Sequence, residues 1–187
     1  PDVHWSEQDK QELLANADDA LDRLTELVTN LLDLSRLQAG VLSVVTGPVG
    51  VDDLVSRALD HTARGVQIEL DVPDTLPEVM ADPGLMERVI ANLVENALRY
   101  SPAGKPIRIA ASAHGQQVEL RVIDRGPGVP PGEREAVFAP FQRRDDHATS
   151  ATAGVGLGLA IARGFVEAMH GTITLDDTPG GGLAAVV

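Results

Sequence analysis

In residues 92–101, NLVENALRYS, two amides, an acid and a guanidinium recur at spacings of three and four: Asn92, Glu95, Asn96 and Arg99. On a helix that spacing puts all four on one face, while Val89, Ile90, Leu93 and Ala97 turn the other way. Amide oxygens can ligate a hydrated Mg²⁺ without adding charge, and Arg99 can meet a phosphate. The same stripe also fits an ordinary solvated helix face. Farther on, DRGPGVP, residues 124–130, directly follows a strand-like run. Asp124 can accept a hydrogen bond from an exocyclic amino group of a base, and Gly126 and Gly128 allow the backbone to approach the ring. Taken alone, that segment also reads as a plain turn.

A third segment, GVGLGLAIA at 154–162, sets Gly154, Gly156 and Gly158 ahead of an apolar helix. Backbone N–H groups at a helix start can cradle polyphosphate; a hinge ahead of a core helix is the plainer reading. The dinucleotide fingerprint is excluded by the Gly-x-Gly-x-Gly spacing and the lack of a strand just before it, and a Walker-type loop by the absence of Gly-Lys-Ser/Thr. Between the second and third segments lie about thirty residues, 125–153, without a clear core pattern. A stretch of that length in a compact domain is often a functional lid. It contains VFAPFQRR, in which Phe138 and Phe141 are expected to anchor the loop to the core, leaving Arg143 and Arg144 to reach a terminal phosphate. A single amphipathic turn with solvated arginines is the alternative.

The elements that must position these groups follow from periodicity. Residues from Ser6 to Ala39 read as one long helix, with Ser6 and Asp9 close to a capping box and Gly40 at its end. Leu13, Ala20, Leu27 and Leu34 form one seven-residue series, Leu14, Leu21 and Val28 a second, and Ala17, Leu24 and Leu31 a third. So broad an apolar face suits a bundle helix contacted from several sides; a helix packed on its own domain remains open. Beyond it the expected order is a strand at Val41–Val45, a helix at Val51–Arg64, strands at Val66–Val72 and Glu78–Ala81, and a helix at Pro83–Tyr100 opening after Asp82. Strands at Pro106–Ala113 and Gln117–Asp124, a helix at Val155–His170, and strands at Gly171–Asp176 and Leu183–Val187 complete it. Adjacent strand pairs with helices between them predict an α+β fold, a two-layer sandwich with helices on one face of a largely antiparallel sheet.

Composition narrows the function. A chain of 187 residues suits one domain with an appendage. A net charge of −13 argues against nucleic-acid binding and against contact with an anionic membrane surface. There is no Cys, so disulfides and thiolate zinc sites are excluded and a reducing compartment fits. No apolar run reaches the ~18 residues of a membrane span. Pro1 without an initiator Met suggests an excised fragment.

The Asn-bearing helix, Asp-x-Gly-x-Gly, the Phe pair and Gly-x-Gly-x-Gly, in that order, resemble the N, G1, F and G2 boxes of sensor histidine kinases. These belong to the ATPase group that includes gyrase, Hsp90 and MutL, which share the Bergerat-type ATP-binding fold. LLDLSRLQAG, residues 31–40, is similar to the end of the second dimerisation helix of such kinases. The resemblance therefore implies residues 1–40 as the second helix of a dimerisation and phosphoacceptor hairpin, and 41–187 as a catalytic domain with a lid at 125–153. It implies ATP and Mg²⁺ as cofactors. Asn96 would ligate Mg²⁺ with support from Asn92, Arg99 would approach the phosphates, Tyr100 would line the nucleotide and Asp124 would read adenine. Gly126 and Gly128 would shape the base pocket, Phe138 and Phe141 would pin the lid, and Arg143 would reach the γ-phosphate. Gly154, Gly156 and Gly158 would flank the phosphates, and Val129, Val155, Leu157 and Leu159 complete the nucleotide-binding set. Within the family, Asp82–Tyr100, GPGVPPGEREAVFAPFQR and VGLGLAIARGFVEAMHG are most similar to the potassium-responsive kinases. That implies a role in potassium or osmotic signalling, a response-regulator partner, a homodimer in the full-length kinase, and a cytoplasmic domain of an inner- or plasma-membrane protein.

One departure matters. None of His4, His61, His114, His147 or His170 stands in the family's acceptor motif, an acidic residue followed by Leu-Arg-Thr/Asn-Pro; His61 in HTARG comes nearest and lacks the acid and the Pro. The acceptor is therefore expected upstream of Pro1, with no catalytic residue of its own in this chain. A serine-directed kinase of the same fold, or a docking module that keeps the fold without the activity, are the competing readings.

Overall fold

The computed structural model describes residues 6–62, 67–142 and 155–187. Helix α1 runs Glu7–Gln38 and is closed at both ends by its own side chains and backbone. The Ser6 hydroxyl accepts from the Asp9 N–H while the Asp9 carboxylate accepts from the Ser6 N–H, a complete capping box. At the other end the N–H groups of Gly40 and Val41 donate to the carbonyls of Leu37 and Arg36, with Gly40 at φ +64°. That is the Schellman arrangement, and it stops the helix where the apolar series ends.

Strand β1 (Gly47–Val49) pairs antiparallel with β3 (Val79–Ala81) in a two-stranded sheet. The expected strand at 41–45 is not formed: Val41 and Val45 are exposed, and the strand begins at Gly47 instead. Pro48 is tolerated because a two-stranded sheet offers only edge positions. The Val45 N–H is spent on the Asp82 carboxylate at 2.8 Å, through one oxygen, while the other caps α3 by accepting from the Leu85 N–H at 3.1 Å.

Helix α2 (Val51–Thr62), strand β2 (Ile68–Asp71) and helix α3 (Pro83–Tyr100) follow, then the hairpin β4 (Ile107–His114) and β5 (Gln117–Ile123). After two short 3₁₀ turns at Pro131–Glu133 and Ala136–Phe138 come α4 (Gly158–Ala168), β6 (Thr174–Asp177) and β7 (Leu183–Val186). The main sheet has the order β2-β4-β5-β7-β6, parallel only between β2 and β4. Along β4, Ile107, Ile109 and Ala111 face the core while Arg108 turns out, the period-two alternation of a sheet covered on one side. Against that face pack Val89, Ile90, Leu93 and Val94 of α3 and Ile161, Phe165 and Val166 of α4, all nearly inaccessible to solvent. The fold is thus the expected α+β two-layer sandwich.

The start of α4 differs from expectation. Gly156 has φ +77°, which no helix residue adopts, so the helix opens at Gly158 rather than Val155. Among the described residues, helix α1 is buried toward its C-terminal end, where Asn30, Asp33 and Leu34 are buried and Leu37 packs on Gly164. Earlier along it, Leu13, Leu14, Leu21, Leu24, Val28, Leu31 and Leu32 stay more than half exposed. Packing on its own domain therefore accounts for the end of the helix and not for the stripe.

Candidate nucleotide site

Two segments distant in sequence meet along one side of α3. At its C-terminal end, a Cβ on Gly126 would lie 2.7 Å from the Tyr100 carbonyl oxygen, so only glycine fits there. About two turns earlier, a Cβ on Gly158 would lie 3.0 Å from Asn92 Oδ1. The Asp124 loop and the first turn of α4 are therefore anchored on the polar face of α3. The helical rise puts them about 12 Å apart, a span on the scale of a nucleoside triphosphate. Asn92 and Asn96 are partly buried on that face, whereas Arg99 and Tyr100 reach solvent.

Asp124 is 5 % exposed at the end of β5. Its Oδ1 accepts from the N–H of Gly126 at 2.7 Å and of Leu183 at 3.0 Å. Both donors fall on one oxygen, which leaves Oδ2 to accept from another group. Burial pushes the Asp124 carboxyl up from its ordinary value, and the two N–H groups pull partly against that. The following residue is held as well: the Arg125 N–H donates to Ser101 Oγ at 3.2 Å. Gly128 has φ +71°, and partly buried Val129 uses its carbonyl to accept from Arg134 Nε.

The Phe pair divides. Phe138 is buried, with the Arg163 guanidinium 5.2 Å from its ring centroid, and Arg163 is itself held by Glu135 and Glu167. Phe141 is 60 % exposed at φ +63°, so the expectation that both rings anchor the loop is corrected. What Phe141 contributes is backbone: its N–H donates to the Gly156 carbonyl at 2.9 Å and ties the two sides of the loop together. At the head of α4, Leu157 is buried, Leu159 packs on the core and Val155 is exposed. Arg143, Arg144, His147 and Gly154 lie outside the described residues, as does the stretch 143–153 of the segment read as a lid.

Two contributions were missed in the sequence. Glu95 reads as the acid of a polar stripe able to hold a hydrated cation and a phosphate, but its burial is not legible there; burial, Glu26 across from it on α1 and, in opposition, Arg99 leave its carboxyl raised from the ordinary value. Leu183 and the Gly180–Gly182 turn read only as a closing hairpin, yet this hairpin supplies a donor to Asp124. The run of three glycines was the available signal. Among the described residues no three acidic or histidine side chains gather to hold a metal.

This layout has a known counterpart. The chain belongs to the family of histidine kinase-, DNA gyrase B- and HSP90-like ATPases, which matches over residues 81–187. Among individual proteins it is similar to the sensor protein KdpD of Mycobacterium tuberculosis, 48 % identical over all of this chain and 22 % of that protein. It is also similar to the sensor-like histidine kinase SenX3 of the same organism, 36 % identical over 91 % of this chain and 46 % of the relative. The chain thus spans about a fifth of the KdpD length. Among solved structures, full-length ShkA in complex with AMPPNP superposes with a TM-score of 0.76 at 29 % identity, over 98 % of this chain and 39 % of ShkA.

Proposed function

We propose that this chain is the ATP-binding part of a two-component sensor histidine kinase of the KdpD kind. In this reading it delivers the ATP γ-phosphate to a histidine outside residues 1–187, and the phosphoryl group passes thence to a KdpE-like response regulator in potassium or osmotic signalling. The observation that carries the reading is the meeting of the Asp124 loop and the Gly158 helix start on the amide-bearing face of α3. Asp124 reads the adenine amino group through Oδ2, while Gly126, Gly128 and Val129 shape the base pocket and Tyr100 borders it. Arg99 approaches the phosphates, and Gly154, Val155, Gly156, Leu157, Gly158 and Leu159 are assigned to the phosphate side. Phe138 pins the base of the loop whose Arg143 is assigned to the γ-phosphate.

Asn96, supported by Asn92, suits Mg²⁺: an amide oxygen is a hard neutral ligand, and the phosphates bring the charge a carboxylate cage would otherwise supply. A cation held there would offset charge on the transferred phosphoryl group. Residues 1–40 serve as the second helix of the dimerisation hairpin in a homodimeric, membrane-anchored parent protein; the exposed apolar stripe of α1 supports that role. The SenX3 likeness supports the kinase class equally and leaves the stimulus to the KdpD likeness alone.

Asp124→Asn tests the base assignment. It replaces a charge-assisted acceptor with an amide, so ATP binding should weaken by about 1.5–3 kcal/mol, while GTP, which presents a carbonyl at that position, binds the wild type poorly. Equal affinity of the wild type for ATP and GTP refutes it.

A further inference from the structure

In a regular antiparallel ladder, Leu183, which lies opposite Asp124, exchanges two backbone bonds with its partner. Here only one is made between backbones, from the Asp124 N–H to the Leu183 carbonyl at 2.9 Å. The reverse bond is diverted: the Leu183 N–H goes to the Asp124 side chain, at 3.0 Å from Oδ1. The diversion is possible because Gly182 lies against the Asp124 peptide where a ladder bond would otherwise form. Gly182 has φ +115°, and a Cβ there would collide with the Asp124 carbonyl oxygen and come within 2.9 Å of its carbon and 3.1 Å of Arg125 Cα. Its own carbonyl in turn faces Gly128, where an added Cβ would lie 3.2 Å away.

We infer that Gly182 and the Leu183 N–H are positioning elements for base recognition: they hold Asp124 Oδ1 on the backbone so that Oδ2 is presented to the base. This rests on the nucleotide reading proposed above and extends it to a hairpin more than fifty residues downstream of the loop it serves. The neighbouring glycine provides the control. Gly181 has φ +93°, and a Cβ there would meet nothing within 4 Å, so Gly181→Ala carries comparable backbone strain without touching Asp124.

The experiment measures ATP and GTP affinity by titration for the wild type, Gly182→Ala, Gly181→Ala and Leu183→Pro, with the folding midpoint of each. Leu183 opens β7, where proline is tolerated, so Leu183→Pro removes the donor if Gly182→Ala fails to fold. The expected result is a loss of ATP-over-GTP preference of about tenfold or more in Gly182→Ala and Leu183→Pro, with preference kept in Gly181→Ala. A purely structural role would lower the folding midpoint, more in Gly182→Ala where the Cβ collides with the Asp124 carbonyl, and leave preference unchanged in the folded fraction. If the wild type prefers ATP and Gly182→Ala and Leu183→Pro retain that preference, the positioning role is overturned and the nucleotide reading stands. If the wild type has no preference, the nucleotide reading falls and takes the positioning role with it.

Discussion

The docking of α1 includes a buried ion pair, and Asp33→Ala should expose its weight. Asp33 is 2 % exposed and is bound by Arg88 of α3, whose guanidinium lies 5.5 Å from the centroid of the Phe165 ring of α4. A cation is thereby shared between three helices. Removing one partner of a fully buried pair costs about 3–5 kcal/mol because the other charge is left unpaired. The Arg88 side chain is 35 % exposed and can turn toward water, which discounts the cost to about 1–2 kcal/mol. The loss should fall on α1, since Asn30, Asp33, Leu34 and Leu37 hold its end to α3 and α4 while its earlier turns are solvated. Hydrogen exchange is the assay. Amides of residues 29–38 should exchange about 5–30 times faster, with β4 and β5 unchanged, and a cycle of Asp33→Asn and Arg88→Met should return a coupling of about 1–2 kcal/mol. Unchanged exchange in α1, or equal loosening of α1 and the sheet, would refute the argument.

Two further outcomes follow from burial. Phe138→Ala should destabilise by about 3 kcal/mol by emptying the space beneath Arg163, whereas Phe141→Ala should stay within about 0.5 kcal/mol; thermal or urea unfolding separates them, and equal losses would restore Phe141 as an anchor. For Glu95, the folded-state carboxyl lies above its unfolded value, so its contribution to stability is present at low pH and is lost as pH rises through the folded-state pKa. Glu95→Gln should therefore be more stable than the wild type at neutral pH, with the gain shrinking as pH falls below the carboxylate range; a gain that persists at low pH would assign it to packing instead.

Much of this architecture was legible because it depends on local rules. Ser6 and Asp9 announce a cap, Pro83 after Asp82 opens α3, and the period-two alternation of 107–113 gives β4 and its core face. The departures have non-local causes. Val41–Val45 has strand composition but no strand beside it, and Asp82 takes the Val45 N–H. Phe141 looks like its neighbour Phe138 in sequence, but its φ of +63° turns the ring to solvent. Nothing in the spacing of LLDLSRLQAG singles out Asp33, and only the folded chain brings to it Arg88, which itself lies over Phe165. The site divides likewise: Asn92, Asp124 and Gly158 are conspicuous by type and spacing, whereas Leu183 acts through an N–H that any residue but proline possesses.

Nucleotide binding itself is what most needs measuring. Calorimetric titration of the chain with ATP, with and without Mg²⁺, alongside Asn96→Ala, is the measurement. The expected result is saturable one-to-one binding that tightens when Mg²⁺ is added, with the Mg²⁺-dependent gain abolished in Asn96→Ala. Absence of ATP binding by the folded wild type, or a Mg²⁺ effect that survives Asn96→Ala undiminished, would contradict it.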